Sequence, residues 1–257
     1  MAIENINLGI LSSTPTPLQH HSVSPSEPYD IYRFRLDSPG NINLSLTGTS
    51  ADADVVLYRD VNNNGVIDEE VDTWIQSSTY GFNNAHDEAI NVVAQAGNYI
   101  AKVYSYQGTN STSYDLSLST TPSHSSTPSN LLSTEVSVGG LSNSRDNPAT
   151  ISTFNDFVGD IDTTDVYAFS VDSTIAGVEI TLSGLSTDAD IRLIRDSNSN
   201  HIVDAGEQIY RSQNDGISSE HISVWGSNLG NGDFLLQVYQ YSGDTSYQLT
   251  FAPFFTL

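Results

Sequence analysis

The sequence predicts an all-β fold of two tandem antiparallel β-sandwich domains. Three observations predict it: the second half of the chain repeats the first, apolar and polar residues alternate with period two in short runs, and no segment carries a helical period. A chain of 257 residues has room for one large domain or for two of roughly 110 to 130 residues. The repeat decides for two. Tyr29-Asp30-Ile31-Tyr32-Arg33-Phe34 aligns with Thr164-Asp165-Val166-Tyr167-Ala168-Phe169, and Ser50-Ala51-Asp52-Ala53-Asp54-Val55 with Ser186-Thr187-Asp188-Ala189-Asp190-Ile191. Val103-Tyr104-Ser105-Tyr106 then aligns with Val238-Tyr239-Gln240-Tyr241, and Ser113-Tyr114 with Ser246-Tyr247. The few insertions fall in Ser/Asn/Gly-rich stretches that read as loops. Between the copies, the Ser/Thr/Pro-rich stretch has no apolar face to bury and reads as an extended linker. The first domain is therefore placed at 1–121, the linker at 122–130 and the second domain at 131–257.

Within the first copy, Tyr32, Phe34 and Leu36 alternate with Ile31, Arg33 and Arg35, and Ile42, Leu44 and Leu46 alternate with Asn41, Asn43 and Ser45. One dry face per strand is what two stacked sheets require. Further strands are expected near residues 55–58, 73–77, 89–93, 98–104 and 114–118. Their counterparts fall near 191–195, 208–211, 221–224, 233–239 and 247–251. About eight short strands per copy, parted by Gly/Asn/Ser turns, fit a sandwich.

Composition narrows the function. Eight Lys+Arg stand against 31 Asp+Glu, a formal net charge of −23, and Lys102 is the only lysine. Such a chain is repelled by phosphate backbones and anionic lipid, which excludes nucleic acid as a partner. No apolar run approaches the roughly 18 residues of a membrane span, so membrane insertion is not expected. Without cysteine there are no disulfides, thiolate metal sites or Cys nucleophiles, and stability must come from packing or bound metal. Met1-Ala2-Ile3-Glu4-Asn5 has neither the basic nor the apolar region of a signal peptide. An extracellular or cell-surface protein with this start would be exported without a recognisable N-terminal signal peptide, or would already have lost its leader.

The series Tyr29–Phe34, Ser50–Val55, and Gly97-Asn98-Tyr99 through Val103–Tyr106 to Tyr114 recurs at 164–169, 186–191 and 232–247. It resembles the bacterial prepeptidase C-terminal domain over nearly all of both copies. The resemblance implies a jelly-roll-like β-sandwich appended to secreted bacterial proteins, often peptidases, and serving secretion, attachment or matrix binding.

The strongest chemical motif is Asp60-Val61-Asn62-Asn63-Asn64-Gly65-Val66-Ile67-Asp68. Asp60, Asn62, Asn64 and Asp68 offer side-chain oxygens at positions one, three, five and nine of a calcium loop. Val66 offers a backbone carbonyl at seven, and Gly65 permits the sharp turn at six. The second copy supplies Asp196, Asn198, Asn200, Ile202 and Asp204 in the same roles and adds Glu207 at position twelve. The copies depart from the pattern in complementary ways. The first has Val71 at twelve, beside Glu69, Glu70 and Asp72, and the second puts His201 at the turn, where a positive φ costs a non-Gly residue energy. Calcium is the expected ion, in a loop set into a β-hairpin rather than between helices. The competing reading is an Asx turn without metal.

Asp52/Asp54 and Asp188/Asp190 place paired carboxylates on one strand face, where turn capping is the favoured role over metal binding. Tyr104/Tyr106 and Tyr239/Tyr241 form a candidate strip for an extracellular protein or polysaccharide, against a favoured reading as a half-buried sandwich face. Phe251, Phe254, Phe255 and Leu257 lie in the most apolar stretch, past the last expected strand. They are candidates for docking onto another copy, or for folding back. His20-His21 reads as a solvated pair. Lacking G-x-S-x-G and H-E-x-x-H, and with scattered histidines, the chain is not expected to be an enzyme. The expectation is a non-catalytic extracellular structural or adhesive protein, calcium-stabilised and assembling as a homo-oligomer or polymer into a surface fibre or layer. The alternative is an accessory matrix- or polysaccharide-binding module of a secreted peptidase system.

Overall fold

The computed structural model describes residues 3–79, 84–106, 111–142, 150–225 and 230–254. It separates into two compact units, Met1–Ser123 with Ser129–Ser133, and His124–Pro128 with Thr134–Leu257. In the first unit the strands are β1 Asn5–Ile10, β2 Thr16–Val23, β3 Tyr29–Leu36, β4 Gly40–Thr47, β5 Ala53–Arg59, β6 Thr73–Ser78, β7 Glu88–Ala94, β8 Gly97–Ser105 and β9 Thr112–Thr121. The second unit has β10 Val136–Leu141, β11 Ser152–Val158, β12 Thr164–Val171, β13 Gly177–Ser183, β14 Asp188–Ile194, β15 Gln208–Ser212, β16 Glu220–Trp225, β17 Gly232–Ser242 and β18 Thr245–Phe254.

Each unit is a sandwich of a five-stranded and a four-stranded sheet. The first runs β1-β3-β8-β5-β6 and β2-β9-β4-β7; the second runs β10-β12-β17-β14-β15 and β11-β18-β13-β16, the same order strand for strand. Pairing is antiparallel except at one edge of each five-stranded sheet, where β1 runs parallel to β3 and β10 parallel to β12. Both parallel pairs shift register at a glycine of positive φ, Gly9 and Gly139. The strands absent from the sequence reading are these leading pairs, β1/β2 and β10/β11. They are sheet-edge strands with few buried residues, and β2 contains Pro17, a residue that sheets tolerate at an edge.

The inner faces follow the alternation. Tyr32, Phe34 and Leu36 of β3 pack with Ile42, Leu44 and Leu46 of β4 in one core, and Tyr167, Phe169 and Val171 with Val178, Ile180 and Leu182 in the other. Burying each such side chain contributes about 1.5 to 3 kcal/mol. Residues 129–133 close over the polar outer face of the first unit's four-stranded sheet, where Ser133 Oγ meets Ser45 Oγ at 2.5 Å and Asn130 accepts from Ser119 Oγ at 2.6 Å.

The apolar C-terminal stretch departs from expectation. It belongs to β18, which lies between β11 and β13, so it does not lie past the last strand. Phe251 is fully buried among the rings of Phe154, Tyr167 and Phe169, at centroid distances of 6.1, 6.3 and 5.2 Å. It is therefore not available to another subunit. Phe254 meets Trp225 edge-on, with ring centroids 4.3 Å apart, and covers Gly177, where a Cβ would fall 2.4 Å from the Phe254 ring. Phe255 and Leu257 lie outside the described residues.

Candidate metal loops and carboxylate clusters

Two loops with the calcium-loop pattern leave the five-stranded sheets at the same point, after β5 and after β14. Their backbones are alike. Asp60 Oδ1 accepts the N–H of Asn64 at 3.2 Å and its Oδ2 that of Gly65 at 2.9 Å; Asp196 does the same for Asn200 at 3.2 Å and His201 at 3.0 Å. Asn63 and Gly65 take φ of 57° and 71°, and Ser199 and His201 take 55° and 58°. His201 thus adopts the left-handed turn that glycine makes without strain.

The structure also shows what closes the first loop. Asp72, one position beyond Val71, accepts the Val61 N–H through Oδ1 and the Asp68 N–H through Oδ2, both at 2.9 Å. Glu207 accepts from Ser197 at 2.8 Å and from Asp204 at 3.0 Å, the equivalent backbone positions. One added residue and one fewer methylene give the same clamp, so Asp72 is the counterpart of Glu207. Burial works against charge on Glu207, but donation from Asp204 and Ser197 outweighs it and holds its carboxyl below the usual range.

In the second loop the side chains converge: Asn198 and Asn200 both reach Asp204 Oδ2, at 2.8 and 2.9 Å. Positions three, five and nine therefore lie within one hydrogen-bonding radius. Val66 and Ile202 sit at position seven, each donating its N–H to the Asn at position five. Carboxylate, amide and backbone oxygens are the ligands that a hard cation takes; here the Asn198 and Asn200 amides donate through nitrogen to Asp204 and turn their oxygens to the N–H groups of Asn200 and Ile202.

A second constellation escaped the sequence reading. Glu135, Asp162 and Asp165 of the second unit bring ligand atoms within 4.8 Å of one another. Burial, then Glu135 and Asp162, pushes the Asp165 carboxyl well up, and burial and Asp156 push Asp162 up. Tyr247 donates to Asp165 and meets the Tyr167 hydroxyl at 2.8 Å. The first unit repeats the core of this arrangement, with Tyr114 donating to Asp30 at 2.6 Å and meeting Tyr32 at 2.7 Å. There the fourth corner is different: His21, whose ladder position matches Asp156, meets Glu4 at 2.7 Å and packs against the rings of Tyr32 and Tyr114. His21 is therefore not the solvated residue expected, although His20 is. The repeated acid-x-x-Asp spacing, Glu27/Asp30 and Asp162/Asp165, was the available signal.

The tyrosine strip is only partly a surface. Tyr239 is fully buried and accepts from Gln213 at 2.8 Å, Tyr104 and Tyr106 are half-buried, and Tyr241 is exposed. Tyr239 therefore cannot face a partner. Beside these tyrosines, burial followed by Asp52 pushes Asp54 up to about 6, and burial followed by Asp188 and Glu220 pushes Asp190 up to about 7. Asp188 caps the Gly216 N–H at 3.0 Å.

Fold and loops together define a class: a tandem β-sandwich module whose polar chemistry lies in acidic loops and clusters. The first sandwich belongs to the bacterial pre-peptidase C-terminal domain family, whose model matches residues 28–105. The second repeats its topology. No curated protein matches the chain in sequence. Among solved structures the chain is similar to the pre-peptidase C-terminal domain of collagenase from Bacillus anthracis, at 19% identity over 47% of this chain and 95% of that chain, with a TM-score of 0.31. It is also similar to Aeromonas hydrophila PliG, a periplasmic inhibitor of g-type lysozyme, at 16% identity over 47% of this chain and 99% of that one, TM-score 0.29. A third likeness is to the PBSX exported protein XepA, at 11% identity over 93% of this chain and 86% of that one, TM-score 0.31. No helix among the described residues is long and apolar enough to cross a membrane.

Proposed function

We propose that the chain is a non-catalytic extracellular module, structural or adhesive, in which calcium stiffens two tandem sandwiches. Membership of a secreted, non-catalytic accessory family supports the extracellular role of the first sandwich. The observation that carries the calcium reading is the loop built twice by different residues, Asp72 replacing Glu207 and Gly65 replacing His201. Asp60, Asn62, Asn64, Val66, Asp68 and Asp72 would hold the ion in the first unit. Asp196, Asn198, Asn200, Ile202, Asp204 and Glu207 would hold it in the second. A bound ion neutralises the carboxylates and ties a long loop to its sheet. Attachment as a homo-oligomer or polymer, or to an extracellular protein or polysaccharide, would use surfaces held rigid in this way.

A thermal melt with calcium and with chelator, read together with light scattering, tests this. At a calcium concentration of about 100 Kd each site adds about 2.7 kcal/mol, which for units of this size is a shift of roughly 10 °C. The Asp60→Ala/Asp196→Ala variant should lose most of that shift. A wild-type melt indifferent to chelation sinks the calcium reading, and scattering indifferent to protein concentration sinks assembly.

A further inference from the structure

Beyond that reading, the geometry points to a binding site for the carboxylate of an acidic saccharide, built into the first sandwich and absent from the second. The site is a groove of about 340 Å³ between β1, the outer face of β3 and the tip of the 60–72 loop. Its size suits a small molecule rather than a folded partner. Asn7, Arg33, Arg35, Asn63 and Asn98 line it together with Asp60, whose two carboxylate oxygens accept the N–H groups of Asn64 and Gly65.

Arg33 is the centre of the argument. In a chain with 31 acidic residues, its guanidinium has no hydrogen bond or ion pair among the described residues, and its Nε is buried without an acceptor. It lies across the loop tip, where a Cβ on Gly65 would fall 2.7 Å from Nη1. A guanidinium offers a planar fork of donors that matches a carboxylate, and an unpaired buried N–H is costly until an acceptor arrives. Arg35 stands on the same strand face two residues on, partnered among the described residues by exposed Asp37. Around the two cations are amides, with Asn98 donating to Asn63. Side-chain amides present both donors and acceptors, which is what sugar hydroxyls require.

The second sandwich serves as an internal control. Its groove is larger, about 450 Å³, yet Ala168, Ser170 and Asp233 stand where the first has Arg33, Arg35 and Asn98. His201 takes the place of Gly65. The same strand order forms without these cations, so Arg33 and Arg35 are not required by the fold. All three exchanges remove affinity for an anion. The net charge of −23 repels polyanions at a distance, which favours a short acidic saccharide over a densely charged polymer.

Isothermal titration of the full chain with trigalacturonate, in calcium and in chelator, tests the assignment, with maltotriose and triglutamate as comparisons. Saturable binding of one trigalacturonate per chain is expected, with none of maltotriose. Arg33→Ala should weaken binding about tenfold to hundredfold, while Arg211→Ala, an exposed change in the second unit, should leave it unaltered. Absence of saturable binding in both conditions overturns the site, as does an Arg33→Ala protein that melts normally and binds like the wild type. Triglutamate binding as tightly as the sugar overturns the saccharide assignment. None of these outcomes depends on whether chelation shifts the melt, so the calcium reading stands or falls separately.

Discussion

The two sandwiches share every strand pairing, but their outer faces place charge differently, and the exchange runs both ways: Arg192 and Arg211 of the second stand where the first has Val56 and Ser77. His21 faces Asp156 across the repeat, Arg33 faces Ala168, Arg35 faces Ser170 and Lys102 faces Gln237. The inner faces hardly differ, with Tyr32, Phe34, Tyr114 and Leu116 answering Tyr167, Phe169, Tyr247 and Leu249. The comparison separates two jobs. Apolar alternation and the Tyr–Tyr–Asp contact specify the fold, whereas outer-face charge is free to diverge and so marks where the copies differ in chemistry.

The largest expected break in the comparison is at the loop clamps. Removing Asp72 or Glu207 strands two backbone N–H groups, each of which now has a charged acceptor, so Asp72→Ala and Glu207→Ala should each cost about 3 kcal/mol in chemical denaturation. Val71→Ala, at an exposed site, should cost little. Equal losses for Val71→Ala and Asp72→Ala would show that Asp72 is not the counterpart of Glu207.

Next comes the fourth corner of the carboxylate clusters. His21→Asp gives the first unit the all-acid arrangement of the second and should destabilise the chelated protein by about 2 kcal/mol. Asp156→His should stabilise it. A matched pair of denaturation curves in chelator decides, and the opposite signs would mean that His21 is packing rather than charge balance.

A smaller effect is expected from pH. Asp54 and Asp190 carry folded-state carboxyls raised to about 6 and about 7. The folded form therefore binds more protons than the unfolded form between about pH 4 and pH 7, and the stability these groups give in acid is lost as pH rises through those values. Asp190→Asn should stabilise the chelated protein at pH 8 by about 1 to 2 kcal/mol and do nothing near pH 4. A pH-independent gain would contradict this origin. Smallest is His201→Gly, which relieves a positive φ and should add about 0.5 to 1 kcal/mol; a loss would mean that the imidazole contributes packing worth more than the strain.

The sheets were legible because period-two alternation survives in β3, β4 and their repeats, and the loops because a spaced run of Asp and Asn stands out locally. Asp72 was hidden by a single inserted residue, since spacing rules count positions and not side-chain reach. The clusters were hidden for a different reason. Glu135 and Asp165 are brought together by the parallel pairing of β10 with β12, a contact that no local pattern encodes. Tyr239 goes with the favoured reading of the strip, because the outer face on which it lies is itself buried.

The sheet orders also set a timetable for synthesis. β8 and β9 are interior strands of their sheets, as are β17 and β18, and each pair is the last of its unit to be made. Until they arrive, β1-β3 and β5-β6 are separate ribbons and β2 has no partner within its sheet. A sandwich of this topology cannot close progressively as it leaves the ribosome, and its long-range pairings form late. Each unit therefore stays open until its last two strands, one for each sheet, have been made.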